Sequence, residues 1–207
     1  MSILLLFLVI TVYLLTRTIN IRSAVMIFWL QSFIIACFCL FAGWENKESH
    51  IFIAALLTLI VKAYWIPRIM LRVTGRIKMK EDNTALGANC TSLAFGGCLV
   101  LSYAAVGRFL PNILNSDALA VSLALFLMGM TFIIIRRQAL MQIIGLMTME
   151  NGLYLLGLSV TKGMPVIIEF GILLDVLFVA VILGFLTKKI RLSFATTDVG
   201  ELTGLKE

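Results

Sequence analysis

The sequence predicts an all-α, polytopic transmembrane helical bundle of about seven helices, N-terminus outside and C-terminus inside. Three observations carry this. The 207 residues are 61% hydrophobic and 14% charged, with mean hydropathy +1.05, far more apolar surface than a soluble domain of this length needs. The apolar runs are too long for barrel strands, and backbone polar groups in hydrocarbon must be satisfied within each segment, which leaves helices. The basic residues gather in alternate connections, as the positive-inside rule requires.

Seven spans are predicted, at about 2–16, 21–43, 51–71, 85–106, 117–135, 139–160 and 164–187. The first is short. No Lys or Arg precedes its apolar run and no small-residue cleavage site is evident, so it reads as a span rather than a signal peptide. Arg17 and Arg22 bound the second span on one side, with Lys47 beyond its far end. The third ends among Arg68, Arg72, Arg76, Lys78 and Lys80. Arg108 follows the fourth, and Arg136 and Arg137 separate the fifth from the sixth. A very short connection around Lys162 joins the sixth to the seventh, and Lys188, Lys189, Arg191 and Lys206 lie in the tail. Thirteen of the 17 Lys and Arg residues thus fall on one side, three on the other, and Lys62 inside the membrane. This asymmetry sets the orientation and accounts for the net charge of +6, so a nucleic-acid partner is not needed to explain it. Three regions follow: residues 1–110 with four helices, 111–190 with three, and a cytoplasmic tail, 191–207.

Cys37, Cys39, Cys90 and Cys98 all fall within spans. Cys37 and Cys39 point to different helix faces, so a metal site is not expected and buried apolar thiols are. His50, the only histidine, lies at an outer helix end and reads as interfacial.

The candidate functional residues are the ionisable groups deep in apolar helices: Lys62, Glu150 and Asp175. Charges in hydrocarbon are costly and usually face a bundle interior or a wet cavity, often on an ion path. Glu150 lies eleven residues after Ala139, about 16 Å into the bilayer at the helical rise. Asp175 lies eleven residues after Met164 and enters from the other side, so the two acids are expected on facing surfaces of antiparallel helices, titrating as a coupled pair. Glu169 is shallower. Asn151 and Tyr154 are supporting residues, and they would equally serve a reading in which the acids only glue helices together. Lys62 is followed by Arg68 six residues later, so it could instead snorkel to the cytoplasmic edge. Pro67 removes a backbone hydrogen bond beside Lys62, and Gln31 is a polar neighbour at similar depth. Arg68, Arg72, Arg76 and Lys80 form one basic stripe if the third helix continues, serving headgroup anchoring or an acidic partner. Gly87, Gly96, Gly97 and Gly107 in the fourth helix, and Gly145, Gly152 and Gly157 in the sixth, imply tight helix contact.

The run Gln142-Ile-Ile-Gly-Leu-Met-Thr-Met-Glu150-Asn-Gly-Leu-Tyr-Leu-Leu resembles the second helix of the three-helix K subunit of respiratory complex I. Gly171-Ile-Leu-Leu-Asp175-Val-Leu-Phe-Val-Ala-Val-Ile-Leu resembles that subunit's third helix, where the family has glutamate and this chain aspartate. The segment Val61-Lys62-Ala-Tyr-Trp-Ile-Pro67 and the tail from Thr197 to Lys206 are similar to the hydrogenase-4 component E family, over nearly the whole chain. The resemblance implies a non-redox subunit of a complex-I-like membrane arm in a prokaryotic cytoplasmic membrane. Its implied partners are antiporter-like subunits, a peripheral hydrogenase or redox arm and membrane lipids. The [NiFe] centre and iron–sulfur clusters would sit in partner subunits, with no cofactor in this chain. The alternatives are a structural bridging subunit and a stand-alone small transporter.

Overall fold

The computed structural model describes residues 2–46, 56, 59–75, 87–109 and 116–161. The chain divides into two compact units, Met1–Ile172 and Leu173–Glu207, and every described residue belongs to the first. The described residues form six α-helices and one π-helix, with no strand among them. These are α1 (Ser2–Arg17), α2 (Ile21–Asn46), π1 (Leu59–Trp65), α3 (Ile66–Gly75), α4 (Ala88–Phe109), α5 (Ser116–Ile135) and α6 (Ala139–Thr161). Stretches Ile21–Phe41, Asn89–Phe109, Ser116–Ile135 and Ala139–Val160 are long and apolar enough to cross a membrane, whereas α1 is shorter. The predicted seventh span, with Glu169 and Asp175, lies outside the described residues.

Local chemistry sets the helix ends. Asn20 caps α2: its Oδ1 accepts the Arg22 N–H at 3.0 Å and its carbonyl accepts the Ala24 N–H at 3.0 Å. The Gly87 and Gln138 carbonyls start the ladders of α4 and α6 in the same way, accepting from Thr91 and Gln142. Asp117 occupies the first turn of α5, where an anion complements the helix dipole.

The third span departs from the uniform α-helix its apolar run suggests. Pro67, the second residue of α3, has no N–H to return to the preceding turn, and its ring crowds the carbonyl of Ala63. The wider turns of π1 accommodate that crowding immediately upstream.

The most extensive interface joins α5 to α6. Helix α5 also packs on α4 and α1, while α2 packs on α1, α6, π1 and α3. Glycine makes the α5–α6 approach close. A Cβ on Gly129 would lie 2.6 Å from the Met149 Cα, and one on Gly152 2.6 Å from the Phe126 backbone nitrogen. In α4 the expectation of tight glycine packing fails: a Cβ on Gly87, Gly96, Gly97 or Gly107 would meet nothing within 4 Å. Those glycines are exposed, because α4 packs through its other face.

Two arginines tie one edge of the bundle together. Arg17 donates to Asn89 Oδ1 at 3.4 Å, joining the end of α1 to the start of α4. Arg136 was expected as a loop charge, but it is buried. It donates to the Leu15 carbonyl at 2.9 Å and the Thr16 carbonyl at 3.4 Å, over the Phe132 ring. The Leu15 carbonyl otherwise accepts only a long bond from the Thr18 N–H, at 3.4 Å, and the guanidinium supplies further donors and a favourable charge at this helix end. The adjacent Arg137 is exposed.

Candidate functional site: a buried ion pair

The site lies where π1, α2 and α6 meet. Lys62 leaves π1 and crosses to α6, donating to Glu150 Oε1 at 2.9 Å and to Asn151 Oδ1 at 3.3 Å. The two charged side chains are only 2% and 3% exposed. The Lys62 ammonium also lies 5.9 Å from the centroid of the Tyr154 ring, one turn along α6. Lys62 therefore does not snorkel. A π-helix carries more residues per turn than an α-helix and so changes which residue faces a neighbour, here directing the lysine inward.

Further neutral polar groups are buried on the same two helices, α2 and α6. Gln31 and Ser32 of α2 and Thr148, Asn151 and Tyr154 of α6 are all buried. Thr148 Oγ1 lies 2.8 Å from the Ile144 carbonyl and 3.4 Å from Gln31 Oε1. A hydroxyl has one proton, and the shorter contact takes it. Cys39 of α2 is buried as well. Among the described residues, Gln31 Nε2, Ser32 Oγ and Asn151 Nδ2 are buried without a hydrogen-bond partner.

Of the residues singled out from the sequence, the fold gathers Lys62, Glu150, Asn151 and Tyr154, while Gln31 lies 3.4 Å from Thr148, on the same helix as Glu150. Asp175 and Glu169 lie outside the described residues. Sequence reading missed Thr148, Ser32 and Cys39. Thr148 was visible as a polar residue two positions before Glu150, while Ser32 and Cys39 carry no signal beyond their place in an apolar helix. The thiols are not uniformly buried: Cys39 is, Cys37 and Cys98 are intermediate, and Cys90 is exposed. Among the described residues no three His, Cys, Asp or Glu side chains converge as a metal-ligand set.

Taken together, fold and site define a multi-pass helical membrane protein with an ion pair in its interior. Hydrogenase-4 component E of Escherichia coli strain K12 is 32% identical to this chain over 171 residues, 81% of this chain and 77% of that protein. The Shigella flexneri protein of the same name matches to the same extent. An uncharacterized protein of Mycobacterium tuberculosis is 24% identical over 192 residues, 91% of this chain and 87% of its own. No family model and no solved structure matches. The chain belongs to the hydrogenase-4 component E family.

Proposed function

We propose that this chain is a non-redox membrane subunit of a complex-I-like hydrogenase or related assembly, and that Lys62 and Glu150 belong to a proton path coupled to electron transfer elsewhere in the complex. The observation that carries the reading is an ion pair sealed inside an apolar bundle. Ionisable residues at that depth are costly, and ion paths are among the roles for which they are retained. The relatives' name supports the assembly, since a hydrogenase component implies other components. In this reading the [NiFe] centre and iron–sulfur clusters belong to partner subunits, antiporter-like subunits flank the chain, and seven spans run N-out to C-in in a prokaryotic cytoplasmic membrane.

The pair offers a simple device. A proton arriving on Glu150 neutralises the carboxylate and weakens its hold on the Lys62 ammonium. The Asn151 carbonyl and the Tyr154 ring remain as acceptors, so the lysine keeps partners while the balance shifts. Loss of that proton to a further acid, for which Asp175 is the candidate, restores the pair. Thr148 and Gln31, 3.4 Å apart, extend polar contacts from α6 to α2 and would serve as a route of approach.

The test is Glu150→Gln in the assembled complex, in inverted membrane vesicles. Redox turnover should persist while acidification measured by a pH-sensitive dye is lost, and the subunit should still co-purify with its partners. Full acidification in that variant would leave Glu150 with a packing role.

A further inference from the structure

Beside the ion pair, but facing outward, α2 and the π1–α3 segment enclose a groove of about 560 Å³. Its walls are Met26, Trp29 and Leu30 on one side and Tyr64, Pro67 and Leu71 on the other. Met26, Trp29, Leu30 and Tyr64 are all exposed, so the groove opens away from the protein interior. From Ala63 to Leu71 it runs about 12 Å along the helix at the helical rise. In a membrane-spanning bundle such a slot faces hydrocarbon.

Its chemistry changes at one end. Arg68 lines the groove, its guanidinium 4.6 Å from the Tyr64 ring centroid and hydrogen-bonded to the Tyr64 hydroxyl. That stacking holds the planar fork in place. Arg72 stands one helical turn further and is exposed. Arg22 is exposed on the face of α2 that carries Met26 and Trp29, one turn before Met26. Among the described residues no carboxylate pairs with Arg22, Arg68 or Arg72. An apolar slot thus ends among guanidiniums that no carboxylate among the described residues neutralises.

We propose that this groove is a specific site for an anionic phospholipid, with one acyl chain lying between α2 and π1–α3 and the phosphate held by Arg68 and Arg72. Guanidinium recognises phosphate through paired hydrogen bonds, and basic pockets between membrane helices favour anionic headgroups. A neighbouring subunit's helix would fill the slot but leave the guanidiniums unmatched, so the charge favours the lipid. The site is independent of how the Lys62–Glu150 pair works, since Met26, Trp29, Leu30 and Tyr64 are exposed whereas the pair is buried.

The test uses the full-length chain in a neutral detergent, offered equal amounts of palmitoyl-oleoyl phosphatidylglycerol and phosphatidylcholine and read by native mass spectrometry. One phosphatidylglycerol should be retained in preference. Arg68→Gln with Arg72→Gln should reduce that preference about 30-fold, two basic contributions near a surface. Arg108→Gln, far along α4, should leave it unchanged. Leu30→Trp, which fills the slot, should abolish retention of both lipids. A phosphatidylglycerol carrying a diazirine on its acyl chain should label residues 25–30 and 63–71 in the wild-type chain, a readout independent of variant folding. Equal retention of the two lipids, diazirine labelling spread evenly over the exposed helices, or a photocrosslinker at position 30 capturing a subunit helix in native membranes would each overturn the proposal.

Discussion

Removing one member of the Lys62–Glu150 pair should harm the fold more than removing both. Two unit charges 2.9 Å apart attract by about 6 kcal/mol at an effective dielectric of 20. Much of that attraction is offset by taking both ions out of water. Deleting a single partner leaves the other charge buried with its desolvation cost uncompensated, a loss of about 3–5 kcal/mol. Glu150→Gln and Lys62→Met should each show this loss. The double variant removes both charges and should recover part of it, giving a coupling of at least about 2 kcal/mol. A domain of this size loses about 2–4 °C of melting temperature per kcal/mol, so each single variant should drop by roughly 6–20 °C. The assay is the apparent melting temperature of the full-length chain in one detergent, for wild type, both singles and the double. If the two single effects add to the double within about 0.5 kcal/mol, the pair contributes nothing as a pair and the reasoning is refuted.

Three further outcomes are expected. Gly129→Ala should cost about 1–3 kcal/mol in the same melting assay, because its new Cβ meets the Met149 backbone, which cannot move without separating α5 from α6. Gly96→Ala should stay within about 0.5 kcal/mol of wild type, since nothing stands within 4 Å; equal effects at the two sites would show that the close approach is not what matters. Arg136→Met should destabilise by about 1.5–3 kcal/mol through loss of its charged hydrogen bonds to Leu15 and Thr16, while Arg137→Met stays near wild type; matching losses would contradict the buried clamp. A reporter active only in the cytoplasm should be active when fused after Glu207 and silent when inserted near Lys47; the reverse pattern would overturn the N-out orientation.

Position along a helix was legible in this sequence; direction around it was less so. Counting residues along apolar runs put Glu150 and Lys62 each eleven positions into a span, and the described helices follow the predicted limits to within a few residues. Which way Lys62 faces depends on the π turn that precedes Pro67. Reading at 3.6 residues per turn carries no record of that turn, so the sequence alone does not separate snorkelling from the inward contact with Glu150. Glu150 was assigned to Asp175 because helix connectivity was visible, whereas its contact with π1 joins residues 88 positions apart. Glycines posed a related problem. Gly96 and Gly97 look as able to permit close approach as Gly145 and Gly152, but only the latter two face another helix among the described residues. Arg136 and Arg137 are neighbours in one short connection, and only the one pointing at the end of α1 is buried. No local signal separates them, because the deciding partner is a row of backbone carbonyls more than a hundred residues away.

The surroundings of the ion pair bear on whether it is glue or path. A buried polar network kept for packing is stable when every member is satisfied, since each unpaired group carries a desolvation cost. Lys62, Glu150 and Asn151 would suffice as such a network, the ammonium joining two acceptors on adjacent positions of α6. The cluster extends further than that. Gln31 Nε2, Ser32 Oγ and Asn151 Nδ2 are buried with no hydrogen-bond partner among the described residues, and Gln31 and Ser32 stand on α2 rather than α6. A path that must pass a proton between groups does require polar atoms with capacity to spare, because each carrier changes partners as the proton moves. On the proposed proton path, Gln31, which lies 3.4 Å from Thr148, would be one such group.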